Sequence, residues 1–498
     1  MAKLTHYSHW LPALISGALL PLSLAPFDVW PLAIISCGAL FSLLQNQPAK
    51  TVFIRSFFYG LGLFGVGVSW VFVSIYTYGQ TALPLAVFMT LLFVSFLAIV
   101  FALPWWLIRK KIPYSGGYWA ILFTALWLLV EWLRTWLLTG FPWLFAGYSQ
   151  LHTPLAGWAP IVGVLGLGAL IAFTGAITVT TVKCFSEKHF SAIKFSLPII
   201  AAFWLAGFFF QQLQWTEDSN SPLKVNLVQG NVGLFEKWDY RNHPAIIERY
   251  ISLTQPLWED SDIILWPENA IPLIHHEADW LLEEIDQHAK ETHTNFLMGI
   301  LTYDFDKGRY YNTMISLGKG EGQYYKRRLV PFGEYMPLED ILRGLINFFD
   351  LPLSIIIPGP SEQTLLKSHK HNLASLICYE IAYPDLTART SRNSAYLMTV
   401  SNDAWFNDSI APQQHLQLAQ MRALETQRYL IRGTNNGVSA IVNPDGTLQS
   451  IGPQFETAVI KGSITPREGA TPFMLWGSWP VVILALIVLI VGWRRESR

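Results

Sequence analysis

Apolar residues follow two rhythms along this chain. Up to about residue 213 they form long runs with few charges, at about 9–25, 27–46, 54–77, 82–108, 117–137, 160–183 and 193–212, and one more run lies at about 475–493. A helix that crosses the hydrocarbon core of a bilayer needs roughly 20 apolar residues. The pattern therefore predicts eight spans, the fifth interrupted near its end by Glu131 and Arg134. Between about 215 and 468 the rhythm shortens. The runs 224–232, 262–266, 295–301, 311–317, 372–378, 395–401, 438–442 and 458–464 read as strands, and 244–254, 278–292, 383–392 and 412–429 as helices. In the last of these, Leu416, Ala419, Gln420, Ala423 and Gln427 recur at helical spacing. Alternating strands and helices predict an α/β domain of packed sheets flanked by helices. The expected organisation is seven spans in 1–213, a globular domain in 214–470 and a last span in 471–498.

Composition strengthens the membrane reading. Only 14% of the 498 residues are charged, against about a quarter in soluble domains. Net charge is −1 and no basic stretch is longer than Arg109-Lys110-Lys111, which argues against a nucleic-acid partner. The charges that do occur sort the loops. Lys3, Lys50, Arg55, Arg109 to Lys111, Lys183, Lys188, Lys194, Arg494, Arg495 and Arg498 fall on one side, whereas the loops around Asp28, Tyr78 and 138–159 hold no Lys or Arg. By the positive-inside rule both termini are cytoplasmic, and the globular domain, after seven spans, lies outside the cytoplasmic membrane. The first run has no small-x-small cleavage site before Pro26 and further spans follow it, so it reads as a retained anchor.

This placement gives the cysteines meaning. Cys37 lies in the second apolar run and Cys184 at the cytoplasmic end of the sixth, and Cys378 is the one cysteine of the globular domain, which therefore cannot form an internal disulfide. A lone cysteine is more often a packed apolar residue, but an isolated thiol in an oxidising compartment points to chemistry. Two other polar residues also stand at strand ends, Glu268 and Lys326. Carboxylate, ammonium and thiol together can perform acyl transfer: the base takes the thiol proton, sulfur attacks a carbonyl, and the cation stabilises the oxyanion. Spacing alone leaves solvated or ion-paired groups as the alternative. There is no G-x-S-x-G, P-loop or H-E-x-x-H, and His275-His276 reads as an isolated pair without a third ligand, so neither metal nor cofactor is expected. A transporter would carry more polar groups within its spans than Glu131 and Arg134.

The segments WPENAIP (266–272), KRRLVPFGEYMP (326–337) and LICYEIAYPD (376–385) resemble the Glu, Lys and Cys motifs of the nitrilase superfamily, and SNDAWF (401–406) and RGTNNGVSA (432–440) extend the match. With the spans included, the whole chain resembles the bacterial apolipoprotein N-acyltransferase family. The resemblance implies an αββα sandwich on a multi-span bundle in the bacterial inner membrane, with the catalytic domain on the periplasmic side. It implies Glu268 as general base, Lys326 as oxyanion stabiliser and Cys378 as nucleophile. Glu334 and Glu380 match supporting carboxylates, and Asn312, Trp238 and Tyr379 match positions near the substrate. The implied donor is a phospholipid, typically phosphatidylethanolamine, and the implied acceptor is the α-amine of a diacylglyceryl-cysteine at a lipoprotein's N-terminus. A membrane-anchored hydrolase of the nitrilase or amidase class would share the chemistry as far as the thioester and differ in using water. Two segments are candidates for lipid access: the apolar stretch 337–358 and the outer loop 139–143 (TGFPW).

Overall fold

The computed structural model describes residues 10–115, 118–188, 190–219, 221–335 and 356–496. Most of the apolar stretch 337–358, a candidate for lipid access, lies outside the described residues. Contacts divide the chain into two units: Met1–Leu213 with Ser409–Gln417 and Trp476–Arg498, and Gln214–Asp408 with Leu418–Leu475.

The first unit is helical. Leu83–Arg109 and Pro154–Ser186 are long and apolar enough to cross a membrane, and Ala49–Gly67 with Val71–Tyr78 is a third candidate bent by 62°. The helices Trp10–Leu19, Pro31–Leu44 and Trp119–Leu133 are shorter than the apolar runs that contain them. The eight-span expectation is thus met by two or three helices of full length among the described residues. An apolar run need not be one helix. The first gives way to a tight turn at Pro21–Ser23, and the fifth stops where the Arg134 carbonyl accepts from Phe141 N. Leu83–Arg109 turns Phe88, Leu91 and Leu92 outward, 61%, 60% and 59% exposed, a surface suited to lipid rather than water. Within the loop 139–143, Trp143 is buried and its indole donates to Gln414 Oε1 at 2.7 Å. It is therefore part of the packing of this unit.

In the second unit two sheets share a core. One runs Ala458–Ile464, Leu223–Gln229, Ile263–Leu265, Asn295–Asp304, Arg309–Gly318, Gln323–Tyr325. The other runs Leu448–Ile451, Ala440–Val442, Leu430–Thr434, Tyr396–Ser401, His371–Ile377, Leu366–Ser368, Gly320–Glu321. Each has three parallel strands at its centre, Leu223–Gln229, Ile263–Leu265 and Asn295–Asp304 in the first and His371–Ile377, Tyr396–Ser401 and Leu430–Thr434 in the second. Alternation along the strands builds the layers. Ile263, Leu265 and Leu297 face Leu373, Ile377, Met398 and Ile431 between the sheets. Ile264, Trp266, Phe296 and Met298 point the other way, onto the helices His243–Thr254 and Asp279–Glu291. Pro384–Ser391 packs on the second sheet.

The helix expected over 412–429 ends at Thr426, and Leu430–Thr434 is a central strand that the sequence pattern did not suggest. Its Arg432 breaks the apolar rhythm yet is fully buried, paired with Asp403 at 2.8 Å. The other expected strands appear with ends displaced by no more than three residues. Trp266 anchors the helix-side layer: it is buried against Tyr250 and Phe296 and donates to Thr254 Oγ1 at 2.8 Å. Trp266→Ala is expected to cost about 3–5 kcal/mol, read as a lowered melting temperature in detergent. Trp238→Ala, at a half-exposed position, should leave the melting temperature close to that of the parent. Equal melting temperatures for the two variants would contradict this assignment of the core.

Candidate active site

The carboxyl ends of the central strands carry the polar groups. Glu268 follows Ile263–Leu265 on a loop held flat against Gly299, whose N–H donates to Pro267 O and whose carbonyl accepts from Ala270 N. Glu268 is 6% exposed and fully engaged. Its Oε1 accepts from Asn312 Nδ2 at 2.7 Å and faces Lys326 Nζ at 3.4 Å, and its Oε2 accepts from the backbone N–H of Asn402 at 2.8 Å. Asn402 stands at the end of Tyr396–Ser401, so this bond joins the two sheets across the site. Asn435, after the neighbouring strand, bonds Asn402 Oδ1 and both polar backbone atoms of Val232.

Lys326 follows the edge strand Gln323–Tyr325 and is 1% exposed. Its ammonium donates to Glu334 Oε1 at 2.8 Å and faces Glu268. Burial would strip its proton, but the negative charges of Glu334 and Glu268 outweigh burial and hold it well above the usual lysine range. It is a fixed cation. Glu334 is held in turn by Val330 N at 2.8 Å, and Asn312 Nδ2 reaches both carboxylates.

Cys378 begins a short turn directly after His371–Ile377, with φ +53°. This left-handed backbone is costly for a side chain with a Cβ and persists only where neighbours enforce it. Glu380 enforces it. It is fully buried, and its carboxylate accepts from Ile377 N at 2.8 Å, Arg327 N at 2.7 Å, Arg328 N at 3.1 Å and the Tyr324 hydroxyl. It fastens the cysteine turn to the segment that follows Lys326, and it binds that backbone rather than the ammonium. Burial drives its acidity down, so its carboxyl group sits above the usual range despite these donors.

Part of Cys378 remains accessible, yet its thiol lies well above the ordinary cysteine range. Burial is the main cause, Glu268 adds to it, and Lys326 opposes it. The resting group is a neutral thiol, so a nucleophilic role would need a base to take its proton. Glu268, Lys326 and Glu334 thus act electrostatically on Cys378, and Asn312 links the two carboxylates. Tyr379 is buried edge-on to Tyr383, 5.4 Å between ring centres. Trp238 is half-exposed after the helix Leu234–Lys237, and no hydrogen bond or ring contact joins it to the other site residues among the described residues.

Sequence reasoning missed four contributors: Asn402, Asn435, Tyr324 and Lys237. The first two lie in the motifs SNDAWF and RGTNNGVSA, where the pattern gave no role. Lys237 is 2% exposed and donates to Asn269 O on the Glu268 loop. No group of three or more His, Cys, Asp or Glu able to hold a metal is present among the described residues.

The close approach at Gly299 supplies a test of this geometry. A Cβ there would lie 2.7 Å from Glu268 Cα and 2.8 Å from Asn269 N. Both are backbone atoms, so the loop itself must move. Gly299→Ala is expected to slow acylation of Cys378 about 10²-fold, the loss typical of an ångström's misplacement. A parental acylation rate would show that the loop position is not limiting.

Residues 16–177 match the apolipoprotein N-acyltransferase N-terminal domain, and residues 224–472 match the carbon-nitrogen hydrolase model. The chain is 44% identical to apolipoprotein N-acyltransferase of Azotobacter vinelandii, over 98% of this chain and 96% of the relative. For Pseudomonas aeruginosa PAO1 the figures are 43%, 96% and 94%, and for Coxiella burnetii 39%, 96% and 98%. Among solved structures, Saccharomyces cerevisiae Nit3, of the nitrilase superfamily, is 17% identical with a TM-score of 0.37, covering 50% of this chain and 93% of that one. On the full-length relatives and the two family models, this chain belongs to the apolipoprotein N-acyltransferase family.

Proposed function

We propose that the protein moves an acyl chain from a phospholipid, typically phosphatidylethanolamine, through a thioester on Cys378 to the N-terminal α-amine of a diacylglyceryl-cysteine. The observation that carries this reading is a protonated thiol beside a buried carboxylate and a fixed ammonium, in a chain whose full-length relatives bear the corresponding name.

In the first half-reaction Glu268 takes the Sγ proton as sulfur attacks the ester carbonyl. Lys326, always charged and aimed by Glu334, faces the oxygen on which negative charge gathers. Collapse breaks the C–O bond, and the proton on Glu268 passes to the departing lysophospholipid oxygen. In the second half-reaction the amine attacks the thioester, Glu268 accepts a proton from its nitrogen, and the C–S bond breaks. Sulfur takes the proton back from Glu268, and the site returns to its starting state. Asn312 holds the base beside the cation, and Glu380 keeps the sulfur on its strained turn. Trp238 and Tyr379 serve substrate contact. Eight spans place both termini in the cytoplasm and the catalytic domain, between the seventh and eighth, at the periplasmic face of the inner membrane. The asymmetry of Lys and Arg among the loops supports this orientation.

Incubation with phospholipid alone should add a fatty-acyl mass to the Cys378 peptide, removable by hydroxylamine and absent from Cys378→Ala. An adduct that persists without the cysteine would refute the thioester. Lys326→Ala should form that adduct roughly 10²–10³-fold more slowly, and Lys326→Arg should not restore the rate, because a planar fork does not replace a compact charge. For the topology, a reporter fused after residue 213 should read periplasmic and one fused at residue 111 cytoplasmic. The reverse pattern would overturn the orientation.

A further inference from the structure

The base loop is gripped from two sides. On one side Gly299 lies against it. On the other, Lys237 reaches in from the short helix Leu234–Lys237 and donates to the carbonyl of Asn269, the residue after Glu268. Asn269 itself has a left-handed backbone, φ +46°, so the carbonyl is presented by a conformation that needs enforcement. Trp238, the next residue, is half-exposed, whereas Lys237 is 2% exposed. A lysine is rarely buried without a partner for its charge.

No ion pair holds Lys237 among the described residues; the charge that acts on its ammonium is that of Glu268, one residue before the carbonyl it holds. The other charges nearby are already committed. Glu236, on the same short helix, pairs with Arg249, Asp403 pairs with Arg432, and Glu334 holds Lys326. Glu268, Glu334 and Lys326 by themselves form a buried set with one excess negative charge, and the Cys378 thiol is neutral at rest. Lys237 makes the set neutral. Burial draws its ammonium down to about 8, with the charge of Glu268 opposing that fall. It is therefore still protonated near neutral pH.

We propose that Lys237 is a positioning residue for Glu268: its ammonium clamps the Asn269 carbonyl, fixing the loop that carries the base, and supplies the positive charge that keeps Glu268 ionised until the thiol proton arrives. The inference rests on the reading of Glu268 as general base. It gives a second lysine a part in the reaction without contact with the acyl group. The groups that face Glu268 are then Lys237 from the short helix, Lys326 and Glu334 from the segment after the edge strand, Asn312 from its own strand, and Cys378.

The test is the pH dependence of Cys378 acylation in detergent, followed by the burst of p-nitrophenol from a short-chain p-nitrophenyl ester. The parent should lose rate at low pH as Glu268 takes a proton, and Glu268→Gln should lack that limb. Lys237→Met removes charge and clamp, and Lys237→Gln removes the charge but keeps a donor for Asn269 O. In both, the acidic limb is expected to move up by about one pH unit, the effect of losing one nearby opposite charge. Lys237→Arg should leave it in place. A limb that stays put in Lys237→Gln while the rate alone falls in Lys237→Met would reduce Lys237 to a structural clamp and overturn the proposal. A limb displaced in Lys237→Arg would do the same, and this arm remains decisive if the neutral variants fail to fold. If the parental limb survives in Glu268→Gln, the base assignment itself falls, and the role of Lys237 falls with it.

Discussion

One buried ammonium between two carboxylates organises the catalytic unit. Taking three charges out of water is costly, and the cost is met only where geometry and additional hydrogen bonds are good. Most of the polar architecture supplies those bonds. Asn312 donates to both carboxylates, Val330 N fixes Glu334, and Asn402 N completes Glu268. The donors come from both sheets, so the ion cluster and the sandwich specify each other. If the sheets shifted, Glu268 would lose Asn402; if the cluster were lost, donors at the strand ends would be buried without acceptors.

The cysteine turn answers a different constraint. On the proposed mechanism the nucleophile must stand clear of its strand and still be held rigidly, and the left-handed Cys378 does both at a cost in backbone energy. Glu380 meets that cost with four donors drawn from two segments. The two glutamates that sequence alone cannot separate, Glu334 and Glu380, therefore have distinct work. Glu334 sets the charge and aim of Lys326, and Glu380 sets the backbone on which the sulfur sits. A thiol kept protonated at rest is also poorly reactive toward oxidants, because the thiolate is the reactive form.

Much of this was legible in the sequence, and the losses have physical causes. The apolar alternation of 262–266 and 372–378 marked the central strands, and the motifs at their ends marked Glu268 and Cys378. The strand Leu430–Thr434 stayed hidden because Arg432 looks like a surface residue until Asp403 is placed against it. Lys237 was hidden for the same reason: burial of a cation is a property of its partners, which lie elsewhere in the chain. Apolar runs overstated helix length because hydrophobicity reports what a segment is dissolved in, not where its backbone turns. The turn at Pro21–Ser23 and the bend after Gly67 leave the runs apolar while ending the helices.

The same triad chemistry could serve water or an amine, and nothing in the charges of Glu268, Lys326 and Cys378 distinguishes them. On the proposed mechanism Glu268 carries the proton through both half-reactions and the net charge of the buried set does not change between them, so the site is equally ready for either acceptor. Selection must then lie in delivery. An acyl chain and a diacylated acceptor both partition into lipid, where water is scarce. The helical unit, with Phe88, Leu91 and Leu92 turned outward, is built for that solvent. A thioester suits this arrangement because amines attack it more readily than an oxygen ester. On the proposed mechanism the membrane anchor is therefore part of the chemical selectivity: by concentrating both substrates in lipid, it favours an amine acceptor over the water that a soluble amidase would use.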